Sequence, residues 1–122
     1  MTKASRILIV EDELFVAFDL EALVHQHDPV AQIVVCATVA EAHKALAEPI
    51  TLALLDVDVL DGKTFEVAMA LKAKKVPFVF VSGSRADELP ADLTDVPFVP
   101  KPFAAPVVQR ALQQMTDNIR FL

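Results

Sequence analysis

The chain has 122 residues, a formal net charge of −6 and 54% hydrophobic residues, and a chain of this length forms one domain that folds without disulfide or metal staples. The acid excess speaks against nucleic acid and against an anionic membrane as partners. The single cysteine, Cys36, excludes a disulfide framework, and with no signal peptide and no apolar run of about 20 residues the cytoplasm is the expected compartment.

Arg6 to Val10 (RILIV) is a short apolar run closed by acids and predicts a buried strand. From Glu13 to about His27 the apolar positions Val16, Leu20, Leu23 and Val24 fall on one helical face, and Asp28-Pro29 stops that helix. Ile33 to Ala37 predicts a second strand, with Cys36 as a small buried side chain. Thr38 and Glu41 fit a capping box that opens a helix to about Ala47. Leu52 to Asp56 predicts the third strand. Lys63 to about Lys74 predicts a helix with Phe65, Met69 and Lys72 on one side and Val67 and Leu71 on another. The run FVFVS predicts a fourth strand ending at Ser82. Pro90 interrupts the stretch from Gly83 to Asp95, which therefore holds a short or degenerate fourth helix. Phe98-Val99 predicts a short fifth strand. A last helix runs from Phe103 to about Met115, with Val108, Leu112 and Met115 on one face and Pro106 tolerated in the first turn. Strands alternating with helices in this way predict an α/β fold: a doubly wound parallel sheet with right-handed crossovers.

In such a sheet the chemistry gathers beyond the carboxyl ends of the strands. Glu11 and Asp12 follow the first strand, Asp56 ends the third, Ser82 ends the fourth, and Lys101 follows the fifth. Carboxylates brought together there need a counter-charge. A hard divalent cation such as Mg²⁺, which takes oxygen ligands, supplies it. Lys101 offers a point charge for a phosphoryl oxygen, and the Ser82 hydroxyl offers a donor. Asp56 is the central nucleophile, able to accept a phosphoryl group as an aspartyl phosphate.

Four segments, ILIVEDE, LLDVDVLDG, FVFVSGS and VPKPF, stand in order at the strand ends. Together they resemble the receiver domain of bacterial two-component response regulators, over essentially the whole chain, residues 1–122. The resemblance implies a flavodoxin-like (βα)5 sheet with strand order 2-1-3-4-5. It implies Asp56 as phosphoacceptor and Mg²⁺ (or Mn²⁺) held by Asp12 and Asp56, with Glu11 acting through an ordered water and Asp58 through its backbone carbonyl. Ser82 is expected to swing toward the phosphoryl group with Lys101 beside it, and Phe98 to switch rotamer with Ser82. The Lys101-Pro102 bond is expected to be cis. The segment PFVFVSG, with the weak fourth helix and the KPF turn, also resembles in part a mostly alphaproteobacterial receiver subgroup with a Phe-Ala-Thr-Gly-type motif.

The chain departs from the family pattern in the loop after Asp56, which is short and has Leu60 where a proline is expected. Gly83 stands where a small alanine is commoner, and Phe98 has no hydroxyl. Asp61 reads as a turn acid before Gly62. His25, His27 and His43 lack metal-ligand spacing and read as solvated or packed. Phe15 reads either as core or as an exposed anchor for a partner helix bundle. Lys72 to Lys75 reads as a helix C-terminus complementing its dipole.

The leading expectation is a stand-alone phosphorylation switch without an output domain. Its phosphoryl group would come from a sensor histidine kinase or a histidine phosphotransfer protein. It would signal to an unidentified downstream protein as a monomer or weak homodimer, without turning over a separate substrate, so it is not expected to be an enzyme. The alternatives are a haloacid-dehalogenase-like phosphatase built on Asp56 and Asp58, or a pseudo-receiver that binds without chemistry. The order of the motifs weighs against the first, and the presence of Asp12, Asp56, Ser82 and Lys101 against the second.

Overall fold

Side chains alternate across a strand, so a sheet covered on both faces is apolar at every position. The computed structural model describes residues 4–120 and meets this condition over residues 7–10, 52–55 and 78–81. Strands β1 (Arg6–Val10), β2 (Gln32–Cys36), β3 (Leu52–Leu55), β4 (Phe78–Ser82) and β5 (Phe98–Pro100) form one parallel sheet in the order 2-1-3-4-5. In β1, Leu8 and Val10 face one layer while Ile7 and Ile9 face the other. Helices α2 (Val39–Ala45) and α3 (Phe65–Ala73) cover the first face through Ala42, Val67, Ala68 and Leu71. Helices α1 (Leu14–His27) and α4 (Ala105–Arg120) cover the second through Leu20, Val24, Val108 and Leu112. This is the predicted flavodoxin-like arrangement.

The differences from expectation are local. The predicted start of α3 at Lys63 gives way to a small antiparallel ribbon, Asp58–Val59 against Gly62–Lys63, so the helix begins at Phe65. Gly62 turns this ribbon with φ +136°, a conformation L side chains rarely adopt. Of the two candidate faces of α3, the one bearing Val67 and Leu71 is buried, while Met69 is 40% exposed. Helix α2 ends at Ala45 rather than near Ala47, and α4 continues past Met115 to Arg120. As the expected order requires, strand β2 lies at the sheet edge, which leaves Val35 exposed. Cys36 is buried, as expected.

In place of a fourth helix between β4 and β5 there are two single 3₁₀ turns, Ala86–Glu88 and Ala91–Leu93. Leu89 and Leu93 plug them into the α3 side of the core. From α3, Lys72 ties them down through the Asp92 carbonyl and the Asp95 carboxylate. Among the described residues no helix is long and apolar enough to cross a membrane.

Phe80 is fully buried in the middle of the sheet, edge-on to Phe78 at 5.7 Å between ring centroids. Phe80→Ala is expected to cost about 3–5 kcal/mol, a large share of the 5–15 kcal/mol typical of a domain. The midpoint of urea unfolding measures it.

Candidate functional site

Three backbone hydrogen bonds extend the sheet into the site. The Glu11 amide donates to the Cys36 carbonyl at 2.9 Å, the Asp56 amide to the Val10 carbonyl at 2.8 Å, and the Lys101 amide to the Ser82 carbonyl at 2.9 Å. Glu11, Asp56 and Lys101 are therefore each held by the ladder of a neighbouring strand, and they emerge at one edge. The acids come from β1 and β3, which flank the point where the strand order reverses, the usual crevice of an open α/β sheet.

Carboxylate oxygens of Glu11, Asp12, Glu13 and Asp56 lie within 4.8 Å of one another. The Lys101 ammonium sits among them, 2.5 Å from Glu11, 2.9 Å from Asp56 and 3.6 Å from Glu13. Burial pushes the Glu11 carboxyl up to about 7, against the opposing pull of Lys101. Burial alone would lower the Lys101 ammonium, but its bonds to Glu11 and Asp56 outweigh that and hold it above the usual lysine range. Four acids against one ammonium leave an excess of negative charge on hard oxygen donors. That donor set fits a divalent cation of the Mg²⁺ type.

An open cleft of about 690 Å³ faces these groups, lined among others by Asp12, Glu13, Asp56, Ser82 and Lys101. Ser82 is buried, and its hydroxyl accepts from the Ser84 amide at 3.1 Å and the Val57 amide at 3.4 Å. Phe98 is half-buried and packs against Phe80, with ring centroids 6.3 Å apart. The Asp58 carboxylate stands apart from the four acids at the cleft wall, paired with Lys63 and accepting from the Ser84 hydroxyl at 2.6 Å. Lys63 first, then Ser84, holds it below the usual carboxylate range. A Cβ at Gly83 would meet nothing within 4 Å, so the glycine there avoids no clash and simply leaves the cleft wall low.

Neither family models nor curated proteins matched the chain. Solved structures did. SdrG from Sphingomonas melonis Fr1 is 34% identical, with a TM-score of 0.78 over 95% of this chain and 99% of that one. The HemR receiver domain from Leptospira biflexa is 28% identical (TM-score 0.73, covering 91% and 93%). The PhyR response regulator REC domain from Erythrobacter litoralis is 25% identical (TM-score 0.80, covering 93% and 91%). The chain belongs to the response regulator receiver domains.

Other sequence expectations for this receiver resolve as follows. Lys101-Pro102 is cis. Phe15 is 82% exposed, beside exposed Leu14 and Phe18, and is not core. His27 packs through Nε2 against the Thr116 hydroxyl at 2.8 Å, and His43 lies 4.0 Å from Glu66, so neither joins the acids. Sequence reasoning missed three residues. Glu13 is the third acid of ILIVEDE, brought round where β1 turns into α1. Thr64 is a buried threonine whose hydroxyl donates to the Asp56 carbonyl at 2.6 Å. Ser84 holds both Asp58 and Ser82.

Asp61 is more than a turn acid. Its carboxylate accepts from the Val39 amide at 2.6 Å and the Ala40 amide at 3.1 Å, while the Thr38 hydroxyl takes the Glu41 amide at 3.0 Å. The free amides of the first turn of α2 are thus all partnered, which sustains a helix of seven residues. The capping box is half as predicted: Glu41 takes the Thr38 hydroxyl rather than its backbone.

The Val39 amide, assisted by Ala40, holds the Asp61 carboxyl below its usual range. Its stabilisation is therefore full above about pH 4, the unfolded value, and fades as pH falls through the lowered folded value. Asp61→Ala is expected to lower the thermal midpoint by a few degrees at neutral pH. The gap to wild type should close in acid, and thermal melts over a pH series check both.

Proposed function

We propose that this receiver is a phosphorylation switch whose Asp56 takes a phosphoryl group from a sensor histidine kinase or a histidine phosphotransfer protein. One observation carries the reading. The Asp56 carboxylate ends a central strand, in an open cleft, bonded to Lys101 and within 4.8 Å of three further acids. An Asp56 oxygen attacks phosphorus, the phosphorus–nitrogen bond of the phosphohistidine breaks, and the imidazole leaves with the electron pair. Lys101, already 2.9 Å from Asp56, follows the charge onto a phosphoryl oxygen. Ser82, whose hydroxyl accepts two amides, turns its proton toward the same group, and Phe98 moves into the space it leaves. Asp12, Asp56, Glu11 and the Asp58 carbonyl would hold Mg²⁺ or Mn²⁺, which neutralises charge on the transferring group when bound. Turnover of a separate substrate, as in a phosphatase, is disfavoured. An acid–base role for Asp58 is opposed by its pairing with Lys63 and Ser84.

Signalling is protein–protein, in the cytoplasm and without nucleic acid. It passes to a downstream protein through residues 84–96, β5 and α4, with the chain a monomer or weak homodimer. The exposed Phe15, Leu14 and Phe18 serve the phosphoryl donor as an apolar anchor beside the acids.

Incubation with acetyl phosphate and Mg²⁺ is expected to add one phosphoryl mass to the wild type and none to Asp56→Ala. An unlabelled wild type by intact mass spectrometry would sink the reading. Beryllofluoride with Mg²⁺ is expected to slow amide exchange across residues 84–96, and unchanged exchange there would refute this route of output.

A further inference from the structure

Thr64 is fully buried at the N-cap position of α3, yet its hydroxyl does not cap that helix. A threonine there ordinarily accepts from an amide of the first turn. Here the hydroxyl donates in the other direction, to the carbonyl of Asp56 at 2.6 Å. The Thr64 amide donates to the next carbonyl, that of Val57, at 3.0 Å. One residue therefore holds both carbonyls of the turn that leaves β3.

The consequence follows from peptide geometry. The unit joining Asp56 to Val57 is trans, and in a planar trans unit the carbonyl and the N–H point in opposite directions. With the carbonyl fixed on Thr64, the Val57 N–H is turned the other way, toward the Ser82 hydroxyl. That contact is 3.4 Å, long for a hydrogen bond, so the donor is only loosely used. It stands between Asp56 and Ser82, where negative charge would develop as Asp56 takes a phosphoryl group.

We infer that Thr64 is a positioning residue: through the Asp56 carbonyl it holds the Val57 N–H as a pre-aimed donor for a phosphoryl oxygen. Such donors act because they need no reorganisation when charge appears. The short loop after Asp56 has no proline to stiffen it, so hydrogen bonds fix it at both ends, Thr64 at the root and Asp61 at the far side. The inference rests on the reading of Asp56 as phosphoacceptor.

The experiment compares wild type, Thr64→Val, Thr64→Ser and a control, Val24→Ala, which weakens the core on the far face of the sheet. The rate of phosphoryl addition from acetyl phosphate with Mg²⁺ is followed by intact mass at a temperature where all are folded, together with exchange of the Val57 amide. Thr64→Val is expected to label about tenfold more slowly, less than the roughly 10²–10³-fold lost when such a donor is removed outright, and to exchange faster at Val57. Thr64→Ser restores both, and Val24→Ala keeps the wild-type rate. Should Thr64→Val fail to fold, Thr64→Ala carries the same expectation. Equal rates in wild type and Thr64→Val overturn the inference, as does equal slowing in Val24→Ala or a failure of serine to rescue. A wild type that takes no label overturns the phosphoacceptor reading instead, and this inference with it.

Discussion

Four carboxylates drawn within 4.8 Å of one another, with a single ammonium between them, set the terms for the rest of this structure. Two like charges about 4 Å apart repel by roughly 4 kcal/mol at an effective dielectric near 20. The chain accepts that cost because the sheet leaves the acids little freedom. Glu11 and Asp56 are pinned through backbone bonds to Cys36 and Val10, and Lys101 through its bond to Ser82. The apolar residues of β1 and β3 directly beneath exclude water from the floor of the site and strengthen each of these interactions. Cation demand is thus a product of strand register rather than of any one side chain.

The same register explains how much was legible in advance. Alternation of short apolar runs with amphipathic stretches gave the five strands and the doubly covered parallel sheet, because each signal is local and periodic, while the strand order came from the resemblance to receiver domains. Once the strands are parallel, the residues at their carboxyl ends must meet, so Glu11, Asp12, Asp56, Ser82 and Lys101 are found together. What escaped has no period. Thr64 reaches back eight residues to the Asp56 carbonyl, and Asp61 reaches across to the first turn of α2. Both act on backbone groups, whose positions a sequence does not display. Glu13 was hidden for a different reason: a third acid in a row looks like a solvated helix start, and only the turn into α1 brings it over the cleft.

The edges of the expected elements failed where tertiary contacts overrode propensity. Lys63 has the composition to open α3 but is claimed by Asp58, while Gly62 serves in the ribbon turn.

The site therefore has two walls of unequal stiffness. On the side of β3 the loop from Val57 to Thr64 is tied at its root by a buried hydroxyl and at its tip by two helix amides. On the side of β4 the chain from Gly83 to Val96 has only isolated turns, held by Leu89, Leu93 and the reach of Lys72. Ser82 and Ser84 join the two, one through Val57 and the other through Asp58. A group added at Asp56 would meet a wall that cannot yield on one side and a wall with few bonds to lose on the other. On the proposed reading, displacement would run toward residues 84–96, because the opposite direction would break the buried Thr64 bond and the two amide bonds to Asp61. On that reading the weak fourth helix would be the element that lets a charge change at Asp56 become a change of surface.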